Sequence, residues 1–140
     1  MEQRDYLKDQ IEQMGKVLAE LMGKFMGFKS KGQTSQGIEY VQTELKSQLD
    51  IDLDDLLALE KNELKEYLLT KHFSAEHIEQ LSDILRNTGE IKLSDNKDEA
   101  RDKLEKALQI LEIADEISNA ASFSRISQKT EIENLLMKIK

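Results

Sequence analysis

Seven apolar residues, Leu7, Ile11, Met14, Leu18, Leu21, Phe25 and Phe28, follow one another at alternating steps of four and three near the start of a 140-residue chain that contains no proline. At 3.6 residues per turn this spacing puts all of them on one stripe of an α-helix, whereas a strand would scatter them over both its faces. Tyr6, Val17, Met22 and Met26 widen the stripe. On the opposite side Lys8, Glu12, Lys16, Glu20 and Lys24 alternate in sign at steps of four, a spacing that supports a solvated helix. The expectation is one long helix over about 3–27, broken by Ser30-Lys31-Gly32.

The same period returns along the chain. Ile38, Val41, Leu45 and Leu49 predict a second helix over about 33–49. Between about 52 and 70, Asp52 or Asp54 can cap a short turn through Leu59, and Leu64, Tyr67 and Leu68 mark another segment. Ser74-Ala75-Glu76-His77 resembles a capping box with His in the reciprocal position. It opens a hairpin over about 75–119, whose first helix carries Ile78, Leu81, Ile84 and Leu85 and stops near Gly89. The second helix, capped by Asp95 or Asn96, carries Ala100, Leu104, Ala107, Leu108, Leu111, Ala114 and Ile117. Asn119-Ala120-Ala121-Ser122 turns the chain into a last helix over about 123–139, with Ile126, Ile132, Leu135, Leu136 and Ile139 on one side. Aromatics are 5% of residues, too few for a sheet core, so the fold class is all-α with about six to seven helices. A chain of this size buries roughly two-thirds of its unfolded surface, and no long linker interrupts it, so one domain over 1–140 is expected.

In the later hairpin, Leu81-x-x-Ile84-Leu85-x-x-x-Gly89-x-Ile91 precedes Ala100-x-x-x-Leu104-x-x-Ala107-Leu108. This layout resembles a tetratricopeptide-repeat helix pair. The resemblance implies that Gly89 supplies the turn, that small residues let two helices approach closely, and that Lys92 to Lys97 is an insertion in the turn. An earlier unit matches less fully, with Leu18, Leu21 and Phe25, then Gly32 in the turn and Gly37-x-x-x-Val41 opening the next helix, but with Glu44 where a second small residue belongs. The two glycines stand 57 positions apart instead of about 34, and no proline ends the helices, so the implied array is irregular. The order of segments, with Arg4-Asp5-Tyr6-Leu7 at the start and an Asp-Leu-rich turn before the Gly89 hairpin, is also similar to a group of small bacterial all-helical proteins without an assigned activity.

Charge and composition narrow the function classes. The net charge of -8 repels phosphate backbones, and no basic stripe with interleaved aromatics offsets it, so no nucleic-acid partner is expected. Most of the excess lies between Gly32 and Glu60, where Lys46 alone opposes Glu39, Glu44, Asp50, Asp52, Asp54, Asp55 and Glu60. That stretch is either a charged partner patch or, more commonly, a solvated helix face. Without cysteine there is no disulfide, thiolate nucleophile or thiolate metal site. The charged start Met1-Glu2-Gln3-Arg4-Asp5 is unlike a secretory signal, and no apolar run reaches membrane-spanning length, so a soluble, cytoplasmic protein is expected.

Candidate chemistry is sparse. Asp50-x-Asp52-x-Asp54 has the alternation of a calcium loop, but Asp55 stands where the loop needs Gly and Lys61 where it needs a bidentate Glu, so capping aspartates among core leucines are the better reading. His72 and His77 are five residues apart, on different sides of any continuous helix, and no zinc-type spacing includes them. Ser118, Ser122, Ser124 and Ser127 lie in no nucleophile motif. No catalytic residue, metal or cofactor is assigned. The leading expectation is a non-catalytic protein–protein interaction scaffold, with Met22, Phe25, Met26 and Phe28 as the candidate partner or homodimer surface. Burial of those four within the protein has the edge over that surface, and a homodimer seam comes second. One rival is a peripheral-membrane adaptor, docking the same residues with Lys24, Lys29 and Lys31 at headgroups, although a membrane partner is disfavoured. A second is an enzyme or small-ligand protein, which would need Tyr40, Tyr67, His72 or His77 to converge with carboxylates.

Overall fold

The computed structural model describes the backbone of residues 2–139 and the side chains of residues 6–139, so the Arg4-Asp5 side chains of the N-terminal signature lie outside the described residues. The architecture is all-α. Among the described residues there are seven helices and no strand: α1 (Glu2–Ser30), α2 (Thr34–Leu49), α3 (Leu53–Ala58), α4 (Lys61–Thr70), α5 (Ala75–Ile91), α6 (Lys97–Ser118) and α7 (Phe123–Met137). The helices gather into two compact units, residues 1–56 and 57–140.

The first unit is built on the α1–α2 hairpin. α1 continues three residues past the expected stop, because the backbone needs its left-handed residue only at Gly32, where φ is +74°. Val17, Leu18, Leu21 and Phe25 from α1 and Gly37, Ile38, Val41 and Leu45 from α2 form the core. Gly37 sets the closeness of the two helices, since a Cβ there would stand 3.0 Å from Phe28 Cβ and 3.1 Å from the Phe25 ring. With 16 residues, α2 spans about 24 Å and can cover little more than half of the roughly 43 Å of α1. The stripe therefore loses burial toward the N-terminus, where Leu7 is 37% and Tyr6 66% exposed. Asp50, in the left-handed region, ends α2, and Asp52 Oδ1 accepts the backbone N–H groups of Asp54 and Asp55 at the start of α3.

The second unit centres on the α5–α6 hairpin, flanked by α4 and α7 on α6. The capping box read at Ser74 is present, with Ser74 Oγ accepting from His77 N–H and His77 Nδ1 accepting from Ser74 N–H. Asn96 caps α6 by accepting from Glu99 N–H, and Ser122 caps α7 by accepting from Arg125 N–H. Gly89 differs from expectation. It is not in the turn, for α5 runs on to Ile91 and residues 92–96 make the connection. Its role is close approach, because a Cβ there would lie 3.2 Å from both Leu104 Cγ and Lys103 Cβ. Ala100 and Ala107 are fully buried on the facing helix, and the Ser82 hydroxyl donates to the Ala107 carbonyl.

Candidate functional site

The four candidate residues at the end of α1 differ in their surroundings. Phe25 is 1% exposed and belongs to the core of the first unit. Phe28 is half-buried, with its ring 5.6 Å from that of Tyr40, and Met22 is half-buried too. Met26 alone remains open, at 44%. The reason lies in Gly37, whose missing side chain makes the space that Phe25 and Phe28 fill. Gly23 and Gly27 have nothing within 4 Å of a built Cβ, so their small size serves no helix approach there.

The remaining sequence candidates have local structural roles. Asp52 caps α3 and pairs with Lys46 at 3.5 Å. The hydrogen bond from Asp55 N–H, joined by that from Asp54 and by the Lys46 charge, holds the Asp52 carboxyl below its ordinary value. His72 sits exposed in the left-handed region after α4, a conformation His tolerates better than most residues. His77 is buried in its cap, with its ring edge-on to Phe73. Tyr40 lies under Lys24 in the first unit, and Tyr67 under Lys71 in the second. No group of three or more His, Cys, Asp or Glu side chains that could hold a metal ion occurs among the described residues. No helix among them is long and apolar enough to cross a membrane.

What the structure does concentrate is chemistry around α7. On its inner side Arg125, 5% exposed, donates to Asp115 Oδ1 at 2.6 Å, Glu79 Oε2 at 2.9 Å, Ser118 Oγ at 3.0 Å and the Ala120 carbonyl at 2.7 Å. Lys129 closes on the other oxygen of Asp115. Gln128 donates to the Glu79 carbonyl and to Asp83, and Arg86 reaches Glu131 at 3.5 Å. Desolvation pushes the Asp115 carboxyl up, but hydrogen bonds from Lys129 and Arg125 outweigh it and hold the group below the usual range. The hydrogen bond to Asp115 correspondingly raises Arg125. Ile132 and Leu135 complete this inner face.

The outer side of α7 is apolar as well. Phe123 is 92% exposed, Ile126 50% and Met137 66%, which corrects the placing of Ile126 on the inner side. At 100° per residue Phe123, Ile126, Thr130, Glu133 and Met137 fall within about 80° of arc, opposite the buried Ile132 and Arg125. An open cleft of about 320 Å³ adjoins the C-terminal end of this stripe, lined by Arg101, Glu105, Glu133, Leu136, Met137 and Ile139. The signal for this surface was in the sequence, as Phe123 and Ile126 at a step of three with Met137 two turns beyond Thr130, but the buried stripe of the same helix masked it. No protein-family model, curated protein or solved structure matches this chain.

Proposed function

We propose that the protein acts by binding other protein chains, without chemistry of its own, and that the outer face of α7 is the binding surface. The observation that carries this reading is the second apolar stripe of α7, which leaves Phe123, the most exposed of the large apolar side chains, in water on a helix already anchored through its other side. A polar residue at each of these positions would solvate the helix better, so three apolar side chains on one exposed arc favour occupation by a partner. The irregular tetratricopeptide-like pairing of α5 with α6 would then serve as the support that presents α7.

The test is capture by the chain carrying a photo-crosslinking side chain at position 123, followed by rebinding with purified components. A partner that binds the native chain and loses at least tenfold in affinity with Phe123→Glu supports the reading. Purified partners that bind equally well to Phe123→Glu would move the function to another surface. The membrane rival is separated by anionic vesicles, to which only an adaptor would bind in a Met26-dependent manner.

A further inference from the structure

The cleft at the C-terminal end of α7 combines concavity with unbalanced charge. Leu136, Met137 and Ile139 give it an apolar floor, and Glu105 of α6 and Glu133 of α7 also line it. Both carboxylates are exposed, and neither makes a hydrogen bond or ion pair among the described residues. The nearby cations are committed elsewhere. Arg101 is held by Asp98 at 3.0 Å, Lys106 reaches the Leu59 carbonyl and Gln109, and Lys129 closes on Asp115. Lys138 stands about 140° round α7 from Glu133 and does not line the cleft.

We infer that this cleft takes a basic, apolar segment of a partner protein, with an apolar side chain on the floor and a lysine or arginine beside it at Glu105 and Glu133. The inference deepens the protein-binding reading by naming the partner's chemistry, and it rests on that reading for the class of occupant.

Charge complementarity selects the occupant. An acidic segment, a nucleic acid or an anionic headgroup would set negative charge against two unpaired carboxylates on a chain of net charge -8. A wholly apolar segment would fill the floor but take water from those carboxylates and give nothing back. A lysine or arginine meets both demands, because its methylene stem packs on apolar surface while its charged head stays at the rim and donates to carboxylate oxygens. The volume of about 320 Å³ is at the low end for ligand sites, room for one or two side chains and not for a folded element. The same pairing recurs two turns along. Ile126 lies seven residues before Glu133 and Glu112 seven after Glu105, each within about 20° of that residue's direction on its helix. Glu112 too is exposed and without a hydrogen bond or ion pair among the described residues, so a longer basic and apolar segment can repeat the contact.

The probe is a displayed library of short random peptides, selected on the full chain. Enriched peptides are then titrated by fluorescence polarisation against the native chain, Glu105→Gln/Glu133→Gln, Met137→Ser and the control Glu39→Gln/Glu66→Gln. The control removes two exposed carboxylates from α2 and α4, and so measures general attraction to an acidic chain. The expected peptides carry a lysine or arginine within one turn of a large apolar residue. Their affinity should fall at least fivefold in Glu105→Gln/Glu133→Gln and in Met137→Ser, less than twofold in the control, and further as salt rises. A selection that enriches nothing, or peptides without basic residues, overturns the inference. So do losses in the control equal to those in the cleft variants, and binding that ignores Met137→Ser. Each of these leaves the binding of other proteins by α7 standing, since partner capture at position 123 reads that separately.

Discussion

Arg125→Ala removes a side chain that hydrogen-bonds α7 to both helices of the α5–α6 hairpin, through Glu79 and Asp115. Deleting one member of a fully buried ion pair costs about 3–5 kcal/mol, because the partner charge is stranded out of water, whereas an exposed pair is worth under about 1 kcal/mol. Here the Arg125 side chain is 6% exposed, while those of Asp115 and Glu79 keep 26% and 20% and can rehydrate. Asp115 also retains Lys129, and Glu79 retains the Ser124 hydroxyl. The loss is therefore discounted to about 2–3 kcal/mol, of which the orphaned Ser118 and Ala120 acceptors near solvent add little. Two compact units need not unfold together, so the assay is hydrogen exchange resolved by helix, with urea unfolding as the global check. Protection should fall most in α7 and at the facing ends of α5 and α6. A change under about 0.5 kcal/mol, or one spread evenly over both units, would refute the account of Arg125 as the anchor of α7.

The two kinds of glycine should respond with opposite sign. Gly27→Ala, on an open helical surface, should stabilise by about 1 kcal/mol, whereas Gly89→Ala gains the same propensity but presses Leu104 and Lys103 and should destabilise by about 1–2 kcal/mol net, both read from urea midpoints. Phe25→Glu should unfold the first unit, costing more than about 3 kcal/mol, while Phe123→Glu should leave stability within about 0.5 kcal/mol, as circular dichroism during thermal unfolding will show. Asp115, with its folded pKa depressed, contributes stability that is complete above the ordinary carboxylate value near about pH 4 and is lost as pH falls through the lower folded value. Arg125→Ala should therefore flatten the acid limb of a stability–pH curve for the second unit.

Helices were legible from the sequence where one apolar stripe opposed one charged face, as in α1 and α2, and caps were legible at Ser74 and, to within a choice of two residues, at Asn96 (or Asp95) and Asp52 (or Asp54). Close packing was not. A glycine that ends a helix and a glycine that lets two helices touch look alike in a string of letters, so Gly89 was assigned to a turn it does not make. Phe25 was left between core and surface for the same reason, since its pocket is the absence of a side chain at Gly37. The Arg125 network was invisible because its partners Glu79 and Asp115 lie 46 and 10 positions away, and periodicity carries no information about such distances.

The Arg125 network reflects a wider property of α7. A helix with an apolar stripe on each side has no hydrophobic reason to dock one way round, since either face would bury comparable area. Hydrogen bonds are directional where apolar contact is not, and Arg125, Gln128 and Lys129 find their acceptors only when Ile132 and Leu135 point inward. Turning the helix over would strand Glu79 and Asp115 against Phe123 and Ile126. On this argument the polar cluster selects the face as much as it stabilises it, and a substitution that keeps bulk but removes the donors separates the two effects. Arg125→Met should retain much of the apolar packing yet let Phe123 sample a buried setting. With only four phenylalanines in the chain, fluorine labelling resolves this: the Phe123 signal of the native protein should be solvent-sensitive and single, and that of Arg125→Met should split or lose its solvent shift. A single, fully solvent-exposed Phe123 signal in Arg125→Met would show that packing alone chooses the face.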